Sequence, residues 1–195
     1  MTQRDFAAGL PSIETANLVL RQITDADVPA LFTVFSNAEV VRYWSSPALA
    51  DLAGARALAN HIDESRRSGE LLQWAVTRRG EDRLIGTCTL ARIDHTHRRT
   101  EIGYALARDQ WGLGVMREAL PALLRFAFAT LGLHRIEADV DPRNVASIRS
   151  LERLGFRLEG HLRERYFMAD EVQDSFIYGL LSTDAPHVWD QSPAS

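Results

Sequence analysis

Short runs of apolar residues, many alternating with polar residues and bounded by turn residues, recur along the chain. In residues 17–23, Leu18 and Leu20 lie on one side of an extended chain, whereas Val19 and Arg21 lie on the other. A period of two is typical of a β-strand. Strands are predicted over residues 17–23, 71–78, 84–93, 100–106, 135–140, 156–165 and 174–181.

Apolar residues at helical spacing predict two helices between the first and second strands. Thr24-Asp-Ala-Asp27 resembles a capping box, with Asp in place of the usual Glu, and is predicted to begin the first helix. Ser46 and Pro47 are predicted to begin the second helix as its N-cap and first residue. Its amphipathic face is typical of a helix that packs on its own sheet, and it is predicted to end near Arg67.

Two further helices are predicted in the second half of the chain. One follows a turn at Gly112 and Gly114 and extends to Leu131, and the other covers about residues 145–154. A glycine follows the predicted end of each helix, as is common at a helix C-terminus.

The order of these elements predicts the fold class. The helix after the glycine turn connects strands 100–106 and 135–140, so these two strands should be parallel, whereas the others should be mostly antiparallel. The prediction is an α+β domain with a mixed, mostly antiparallel, seven-stranded sheet, unlike a doubly wound Rossmann fold. Residues 1–181 are expected to form a single domain, including a loosely held N-terminal arm over residues 1–16. Residues 182–195 are expected to be a C-terminal tail.

The composition is that of an ordinary globular protein and excludes several classes of function. The 195 residues are 46% hydrophobic and 25% charged, which fits one domain. A formal net charge of −4 argues against nucleic-acid binding through general basicity. No apolar run reaches the roughly 18 residues of a membrane span, and no signal peptide is predicted. The lone Cys88 excludes an intramolecular disulfide and indicates a reducing, cytoplasmic environment.

The turn at Gly112 and Gly114 is the most informative local feature. Glycine allows a positive φ and a close approach of the backbone to a ligand. The first amides of the following helix lack intrahelical partners and lie at the positive end of the helix dipole. The turn therefore predicts a site for a phosphate or pyrophosphate. It lacks the lysine of a Walker loop and the third glycine of a dinucleotide fingerprint, and on its own it is equally compatible with a purely structural turn.

A second stretch, one strand later in the chain, helps to decide between a phosphate site and a purely structural turn. It contains Asn144-Val-Ala-Ser147 and Leu151-Glu-Arg-Leu-Gly-Phe-Arg-Leu-Glu-Gly160. Together with the glycine turn, this stretch resembles the GNAT acetyltransferase superfamily, whose members transfer an acyl group from acyl-coenzyme A to an amine. In that family a Q/R-x-x-G-x-G/A loop binds the pyrophosphate of the donor. Gly114 matches this loop, whereas Trp111 and Met116 depart from it at the first and last positions.

The departures point to the RimJ/RimL-like branch of the superfamily. This chain resembles that branch in three segments: Trp-Gly-x-Gly followed by Glu118-Ala119, Glu101-Ile-Gly-Tyr104 on the preceding strand, and Leu162-Arg163-Glu164. The resemblance spans most of residues 15–181. It implies a GNAT-type sheet with helices on both faces, and acetyl-CoA as the co-substrate.

The resemblance also implies which residues bind the donor. The amides around the glycine turn would receive the pyrophosphate, and Arg117 would either add charge or be a solvated helix residue. The parallel strands are expected to splay beside the turn and leave a slot for the pantetheine arm. Asn144 is equally suited to bind a ligand carbonyl and to cap a helix, and the resemblance favours the ligand. The predicted cofactor-binding residues are Tyr104, Trp111, Gly112, Leu113, Gly114, Val115, Met116, Arg117, Asn144 and Ser147.

Acyl transfer to an amine requires removal of a proton, stabilisation of an oxyanion and protonation of the departing thiolate. Glu101 is the candidate general base, because Gly103 and Ala105 on its side of the strand leave room for a substrate. The alternative is a surface carboxylate paired with Arg98 or Arg99.

The acid that protonates the thiolate is less well defined. Many members of the family use a tyrosine at the position of Leu151, and that route is absent here. Ser147, which would hold the thiol by a hydrogen bond, and Tyr166 are the two candidates. Tyr166 is equally suited to a packing role. Backbone N–H groups of residues 102–106 are candidate oxyanion donors.

Other reactive residues have a structural interpretation. Cys88 lies in a strand with no obvious base, so a buried core thiol is favoured over thioester exchange. His95 and His97 have metal-ligand spacing, but a solvated turn is favoured and no metal site is predicted. Trp44 and Trp111 either border the acceptor site or pack against neighbouring residues.

These features predict an acyl-CoA-dependent N-acetyltransferase that acts by direct attack in a ternary complex. The branch implies a protein N-terminal α-amine as the acceptor, such as that of a ribosomal protein. The alternatives are a small amine (a polyamine, an amino acid or an aminoglycoside) and a non-catalytic acyl-CoA-binding module. Neither nucleic acid nor a membrane is a predicted partner, and homodimerisation is left open.

Overall fold

One mixed sheet organises the molecule. The structure, a computed structural model, describes residues 6–168 and 171–184. Within those ranges eight strands lie in the order β1-β2-β3-β4-β5-β6-β8-β7. The strands are β1 Ile13–Glu14, β2 Leu18–Gln22, β3 Leu71–Arg78, β4 Gly86–Asp94, β5 Arg99–Leu106, β6 Arg135–Val140, β7 Arg157–Met168 and β8 Glu171–Leu181.

Four α-helices are present in the same ranges. They are α1 Val28–Phe35, α2 Leu52–Ser68, α3 Val115–Arg125 and α4 Val145–Arg153. A π-helical turn, Phe126–Thr130, extends α3 towards the predicted end at Leu131. The predicted capping box before α1 is confirmed, since the Asp27 carboxylate accepts a hydrogen bond of 2.8 Å from the Thr24 backbone N–H.

The second helix begins later than predicted. Its N-cap is Asp51, whose carboxylate accepts a hydrogen bond of 2.8 Å from the Gly54 backbone N–H. The preceding stretch is held against the end of α1, because the Leu49 N–H donates to the Phe35 carbonyl at 2.9 Å. The prediction that Ser46 caps this helix was therefore wrong: a local Ser-Pro signal was overridden by a tertiary contact and a better cap.

The helices cover both faces of the sheet, as the resemblance implied. Leu123 of α3 and Leu151 of α4 are buried in one apolar cluster with Trp74 of β3. Leu31 of α1 and Ile62 of α2 are buried in a second cluster on the other face. Successive strand residues point to opposite faces, so a single strand supplies side chains to both clusters.

β5 and β6 are parallel, as predicted, and they separate along their length. Their register pairs Arg99 with Arg135, and the last pair joins Glu101 to Glu137. Beyond that point β5 continues along β4 to Leu106, whereas β6 continues along β8. The expected splay beside the glycine turn is thus present.

The N-terminal arm is held more firmly than predicted. Ile13–Glu14 forms β1, which pairs with β2 and raises the strand count from the predicted seven to eight. Phe6 is buried in the core, and the Trp74 indole donates a hydrogen bond of 2.9 Å to the Pro11 carbonyl. The prediction of a loosely held arm was wrong for residues 6–16.

Glu118 fastens this arm beside the glycine turn. Its carboxylate accepts hydrogen bonds from the Thr15 hydroxyl at 2.5 Å and from the Asn17 backbone N–H at 2.7 Å. These bonds lower the pKa of Glu118 in spite of its partial burial, which acts in the opposite direction. The first turn of α3 is therefore anchored to the start of β2.

The remaining predictions differ from the structure mainly at element ends. Strands 71–78 and 135–140 have the predicted bounds, and β3, β4 and β5 form the predicted antiparallel meander. β7 and β8 are longer than predicted and pair along most of their length. Most of the predicted tail, residues 185–195, lies outside the described residues. No helix in the described ranges is long and apolar enough to cross a membrane.

Candidate active site

A cavity of about 240 Å³ lies where β5 and β6 separate. Its lining combines side chains from both faces of the sheet. Tyr104 and Leu151 belong to the face covered by α3 and α4, whereas Trp44 packs on the cluster of the other face. Glu101 shares that second face, because it alternates with Tyr104 along β5. The cavity therefore connects the predicted donor side with the predicted acceptor side through the sheet.

The glycine turn has the geometry of an anion site. Gly112 has φ 77°, and Gly114, the N-cap of α3, has φ 79°. A side chain added at either glycine would meet no atom within 4 Å, so space is open above the backbone. The first intrahelical bond runs from the Glu118 N–H to the Gly114 carbonyl at 3.2 Å. The amides before it are those that a pyrophosphate would use.

Most side chains of this turn pack against protein. The Trp111 indole donates a hydrogen bond of 2.8 Å to the Leu106 carbonyl, and Val115 is buried. The Met116 sulfur lies 3.9 Å from the Cys88 sulfur beneath the sheet surface. Donor contacts at Val115 and Met116 would therefore involve mainly the backbone. The exposed side chains among the predicted donor contacts here are Trp111, Leu113 and Arg117.

Asn144 and Ser147 meet Tyr104 at the donor side of the cavity. The Asn144 side-chain oxygen accepts a hydrogen bond of 3.1 Å from the Ser147 N–H, which confirms its capping role. This cap uses only the oxygen, and Asn144 also lines the cavity. The Tyr104 and Ser147 hydroxyl oxygens are 2.6 Å apart. Burial raises the pKa of Tyr104 to about 12, so its hydroxyl stays protonated near neutral pH.

Glu101 lies at the point of separation and is ion-paired with Arg92. The alternative prediction, in which Glu101 is a surface carboxylate paired with Arg98 or Arg99, was wrong in the identity of the arginine. Arg92 reaches Glu101 from a β-bulge of β4, where its own φ is 51°. The Glu101 side chain is 28% exposed. Burial raises the pKa of Glu101, the Arg92 charge opposes that rise, and nearby Asp139 adds to it.

Tyr166 lies on the acceptor side and is tied to Asp139. The Tyr166 hydroxyl donates a hydrogen bond of 2.8 Å to the Asp139 carboxylate, which also accepts bonds from Ser175 and an ion pair from Arg165 at 3.0 Å. Burial raises the pKa of Tyr166, and the bond to Asp139 acts in the same direction. A β-bulge in β7, with Glu164 at φ 53°, places both Arg165 and Tyr166 beside this carboxylate.

Asp139 and Arg92 are site residues that the sequence prediction missed. A signal for Asp139 exists in β6, where Glu137 and Asp139 alternate with three buried apolar residues. Polar residues on one side of a central strand indicate a site. No comparable signal marks Arg92, because its orientation depends on the bulge, which spacing alone does not predict.

Cys88 and His97 have the structural roles that were favoured, whereas no single role was favoured for Trp44. Cys88 is fully buried, and burial raises the pKa of its thiol to about 12, so it is a poor nucleophile. The His97 backbone N–H donates to Asp94 within the predicted turn. Trp44 lines the cavity and packs edge-on against Phe35 at 5.2 Å between ring centroids. Throughout residues 6–168 and 171–184, no three His, Cys, Asp or Glu side chains are grouped to hold a metal.

Known proteins are similar to this chain in sequence and in fold. Residues 17–157 match the Acetyltransferase (GNAT) domain family. The chain is 34% identical to the uncharacterized N-acetyltransferase YoaA of Bacillus subtilis (strain 168), over 88% of this chain and 97% of that protein. It is 25% identical to the ribosomal protein uS5-alanine N-acetyltransferase of Escherichia coli (strain K12), over 92% of this chain and 96% of that protein.

A solved structure with bound CoA is also similar to this chain. The spermidine N-acetyltransferase from Vibrio cholerae in complex with CoA and spermine matches with a TM-score of 0.78 and 25% identity. The match covers 87% of this chain and 98% of that one. The splayed sheet, the glycine turn and these similarities define an acyl-CoA-dependent N-acyltransferase. The chain belongs to the GNAT acetyltransferase family, as its sequence motifs implied.

Proposed function

We propose that the protein transfers an acetyl group from acetyl-CoA to the α-amine at the N-terminus of a protein, by direct attack in a ternary complex. The observation that carries this proposal is the cavity at the splay, which joins Tyr104, Asn144 and Ser147 to Glu101 and Tyr166. An amine entering from the α1 and α2 side would meet a thioester held on the α3 and α4 side. No covalent acyl carrier is needed, and buried Cys88 is unsuited to that role.

Glu101 is the proposed base for the amine. An α-amine has a pKa near ~8, so a substantial fraction is protonated at neutral pH and one proton must be removed before attack. Glu101 accepts that proton. Backbone N–H groups along the unpaired part of β5 stabilise the oxyanion. The thiolate that leaves is held by a hydrogen bond from Ser147 or is protonated by Tyr166, and both residues line the cavity.

The charges of the cavity favour an acceptor with a single positive charge. Its four carboxylates already have basic partners among the described residues. The pairs are Glu101 with Arg92, Asp139 with Arg165, Asp141 with Arg143 at 2.6 Å, and Asp174 with His161 at 2.7 Å. A polyamine, which carries several charges, would have to displace these partners. A peptide N-terminus brings one charge and a backbone that can pair with an exposed strand.

A polyamine is the second candidate, because four carboxylates still outnumber the one arginine in the cavity lining itself. The similarity to a spermidine N-acetyltransferase adds to this candidate. A cytoplasmic location, in which both acceptors occur, stays a prediction.

A thiol-release screen distinguishes the two acceptors. The purified protein is incubated with acetyl-CoA and, separately, with peptides bearing a free N-terminus, the same peptides with a blocked N-terminus, and spermidine. The proposal predicts CoA release with free peptides at a higher kcat/KM than with spermidine, and none with blocked peptides. Faster turnover of spermidine than of every free peptide would replace the first candidate by the second.

A further inference from the structure

A second cavity, of about 210 Å³, adjoins the first on the acceptor side. Both cavities include Arg92, Glu101 and Asp139 in their linings, so they meet at the proposed base. The second cavity extends along the paired ends of β5 and β6, where Arg99 shares the Glu101 face of the sheet. Three guanidinium groups border it, those of Arg92, Arg99 and Arg165, together with three carboxylates, those of Glu101, Glu137 and Asp139.

The Arg99 guanidinium is held only loosely by its neighbours. Its nearest carboxylate oxygens belong to Asp94 and Glu137, each at 3.6 Å, which is longer than a hydrogen bond. The other oxygen of each carboxylate makes the shorter contact, accepting from the His97 N–H at 2.8 Å in Asp94 and from Arg135 at 2.7 Å in Glu137, so the contacts to Arg99 are the weaker ones. The Arg99 side chain is 50% exposed. Its N–H groups are therefore accessible to an anionic ligand in the cavity.

The other two arginines of the second cavity, Arg92 and Arg165, already form closer ion pairs. Arg165 lies 3.0 Å from the Asp139 carboxylate, and Arg92 is paired with Glu101. Arg92 loses the charge of its partner when Glu101 accepts a proton from the acceptor amine. During the reaction the cavity would then have two guanidinium groups able to bind a new anion, Arg99 throughout and Arg92 after proton transfer.

The spacing of Arg99 and Glu101 along β5 fits the first two residues of an acceptor peptide. Arg99 and Glu101 are two residues apart on one strand, which separates their Cα atoms by about 7 Å. In an extended peptide, the α-amine nitrogen lies about 5 Å from the Cα atom of the second residue, so an acidic side chain at that residue can reach Arg99 when the amine is at Glu101. A guanidinium group binds a carboxylate through parallel hydrogen bonds, a geometry that a neutral amide cannot reproduce.

We propose that the second cavity is a specificity subsite in which Arg99 binds an acidic side chain at the second residue of the acceptor. This inference rests on the proposed N-terminal acetyltransferase function. The ligand is thus a peptide that begins with a free α-amine and continues with Asp or Glu.

Matched peptides test the subsite. Three peptides identical except for Glu, Gln or Lys at the second residue are compared as acceptors. The expected order of kcat/KM is Glu, then Gln, then Lys, with a gain of about fivefold from Gln to Glu that appears in KM, since Arg99 is half-exposed and screened. Arg99→Gln should remove the gain, and Arg99→Glu should invert the order.

Arg83 provides the matched control. It is also an exposed arginine with a long ion pair, 3.7 Å to Asp109, and it lies outside both cavities. Arg83→Glu changes the net charge as Arg99→Glu does, so it should leave the order of the peptides unchanged. An equal shift in both variants would overturn the subsite, because it would reveal only a general effect of charge.

A binding measurement separates this inference from the proposed function. Calorimetry on the CoA-saturated protein gives Kd for the Glu and Gln peptides without turnover. Tighter binding of the Glu peptide that disappears in Arg99→Gln supports the subsite, whether or not the peptides are acetylated. Equal Kd values overturn the subsite while leaving N-terminal acetylation intact, and binding without acetyl transfer would contradict the proposed function alone.

Discussion

In the proposed mechanism, the reaction depends on the ionisation of one side chain, Glu101, whose pKa is subject to opposing influences. Burial favours its neutral form, and the neighbouring charge of Arg92 favours its ionised form. The net effect is a raised pKa, which suits a base that must take up a proton from an amine. Arg92 lies at a bulge that orients it towards Glu101.

Replacement of Glu101 and Arg92 should change the pH profile in different ways. Only ionised Glu101 can accept a proton, so kcat/KM should fall as the pH falls through its raised pKa. Arg92→Gln removes the charge that lowers this pKa, so the acidic limb should move to higher pH. Glu101→Gln should remove this limb and lower the rate by about 10²–10⁴.

The control is Glu14, a 60% exposed strand glutamate that pairs with Arg79 at 3.0 Å. Glu14→Gln should preserve both rate and profile. A Glu101→Gln enzyme with an unchanged profile would exclude Glu101 as the base.

Ser147 should affect turnover more than donor binding. Its hydroxyl is paired with Tyr104, whose raised pKa keeps it a hydrogen-bond donor. If Ser147 stabilises the departing thiolate by a hydrogen bond, Ser147→Ala should lower kcat by about tenfold or more with a smaller change in the KM for acetyl-CoA. Ser150, on the same helix, donates to the Ala146 carbonyl and provides the control. Equal kcat values for Ser147→Ala and Ser150→Ala would assign the acid role to Tyr166.

Among the elements, the turn before α3 and the splay of β5 and β6 create the site together. The turn exposes helix N-terminal amides, and the splay opens the sheet beside them. Glu118 fixes the first turn of α3 to the N-terminal arm through Thr15 and Asn17, so the turn of the proposed donor site is held on the sheet.

Gly114→Val should weaken acetyl-CoA binding. The added side chain would enter the open space above the turn, where the donor is expected, and would also strain a backbone with φ 79°. Gly80 provides a control for strain, since it has φ 84°, equally open surroundings and a position in the β3–β4 connection. Both variants should lose about 1–3 kcal/mol of unfolding free energy. Only Gly114→Val should raise the Kd for acetyl-CoA, and equal Kd values would remove the turn from the donor site.

The elements that the sequence predicted best are those whose packing follows from their own periodicity. β3 and β6 have alternating or apolar patterns and sit inside the sheet, so local pattern and tertiary environment agree. β1 has two residues, too few for a period to appear. The start of α2 was misplaced because Ser46-Pro47 is a good helix start in isolation, whereas Asp51 was the cap that the tertiary structure used.

The candidate site was predictable to the extent that its residues belong to motifs. Tyr104, Asn144 and Ser147 were named from motifs, and the structure brings them together at one cavity. Arg92 and the Tyr166–Asp139 contact depend on two β-bulges, and the one or two extra residues that each inserts in a ladder have no clear sequence signature.

At the scale of the whole molecule, the two faces of the sheet have different tasks. The face with α3 and α4 carries the glycine turn and the proposed donor contacts, and the opposite face carries Glu101, Tyr166 and the proposed subsite. The cavity at the splay of β5 and β6 connects the two faces. This arrangement predicts that both substrates are present together when the acetyl group moves.

The most direct test is mass spectrometry of a peptide after incubation with acetyl-CoA and the protein. The peptide has a free N-terminus, an acidic second residue and an internal lysine. One acetyl group on the α-amine is predicted, with none on the lysine and with loss of the product in Glu101→Gln. Release of CoA with an unmodified peptide, or acetylation of the lysine alone, would contradict N-terminal acetyl transfer at this site.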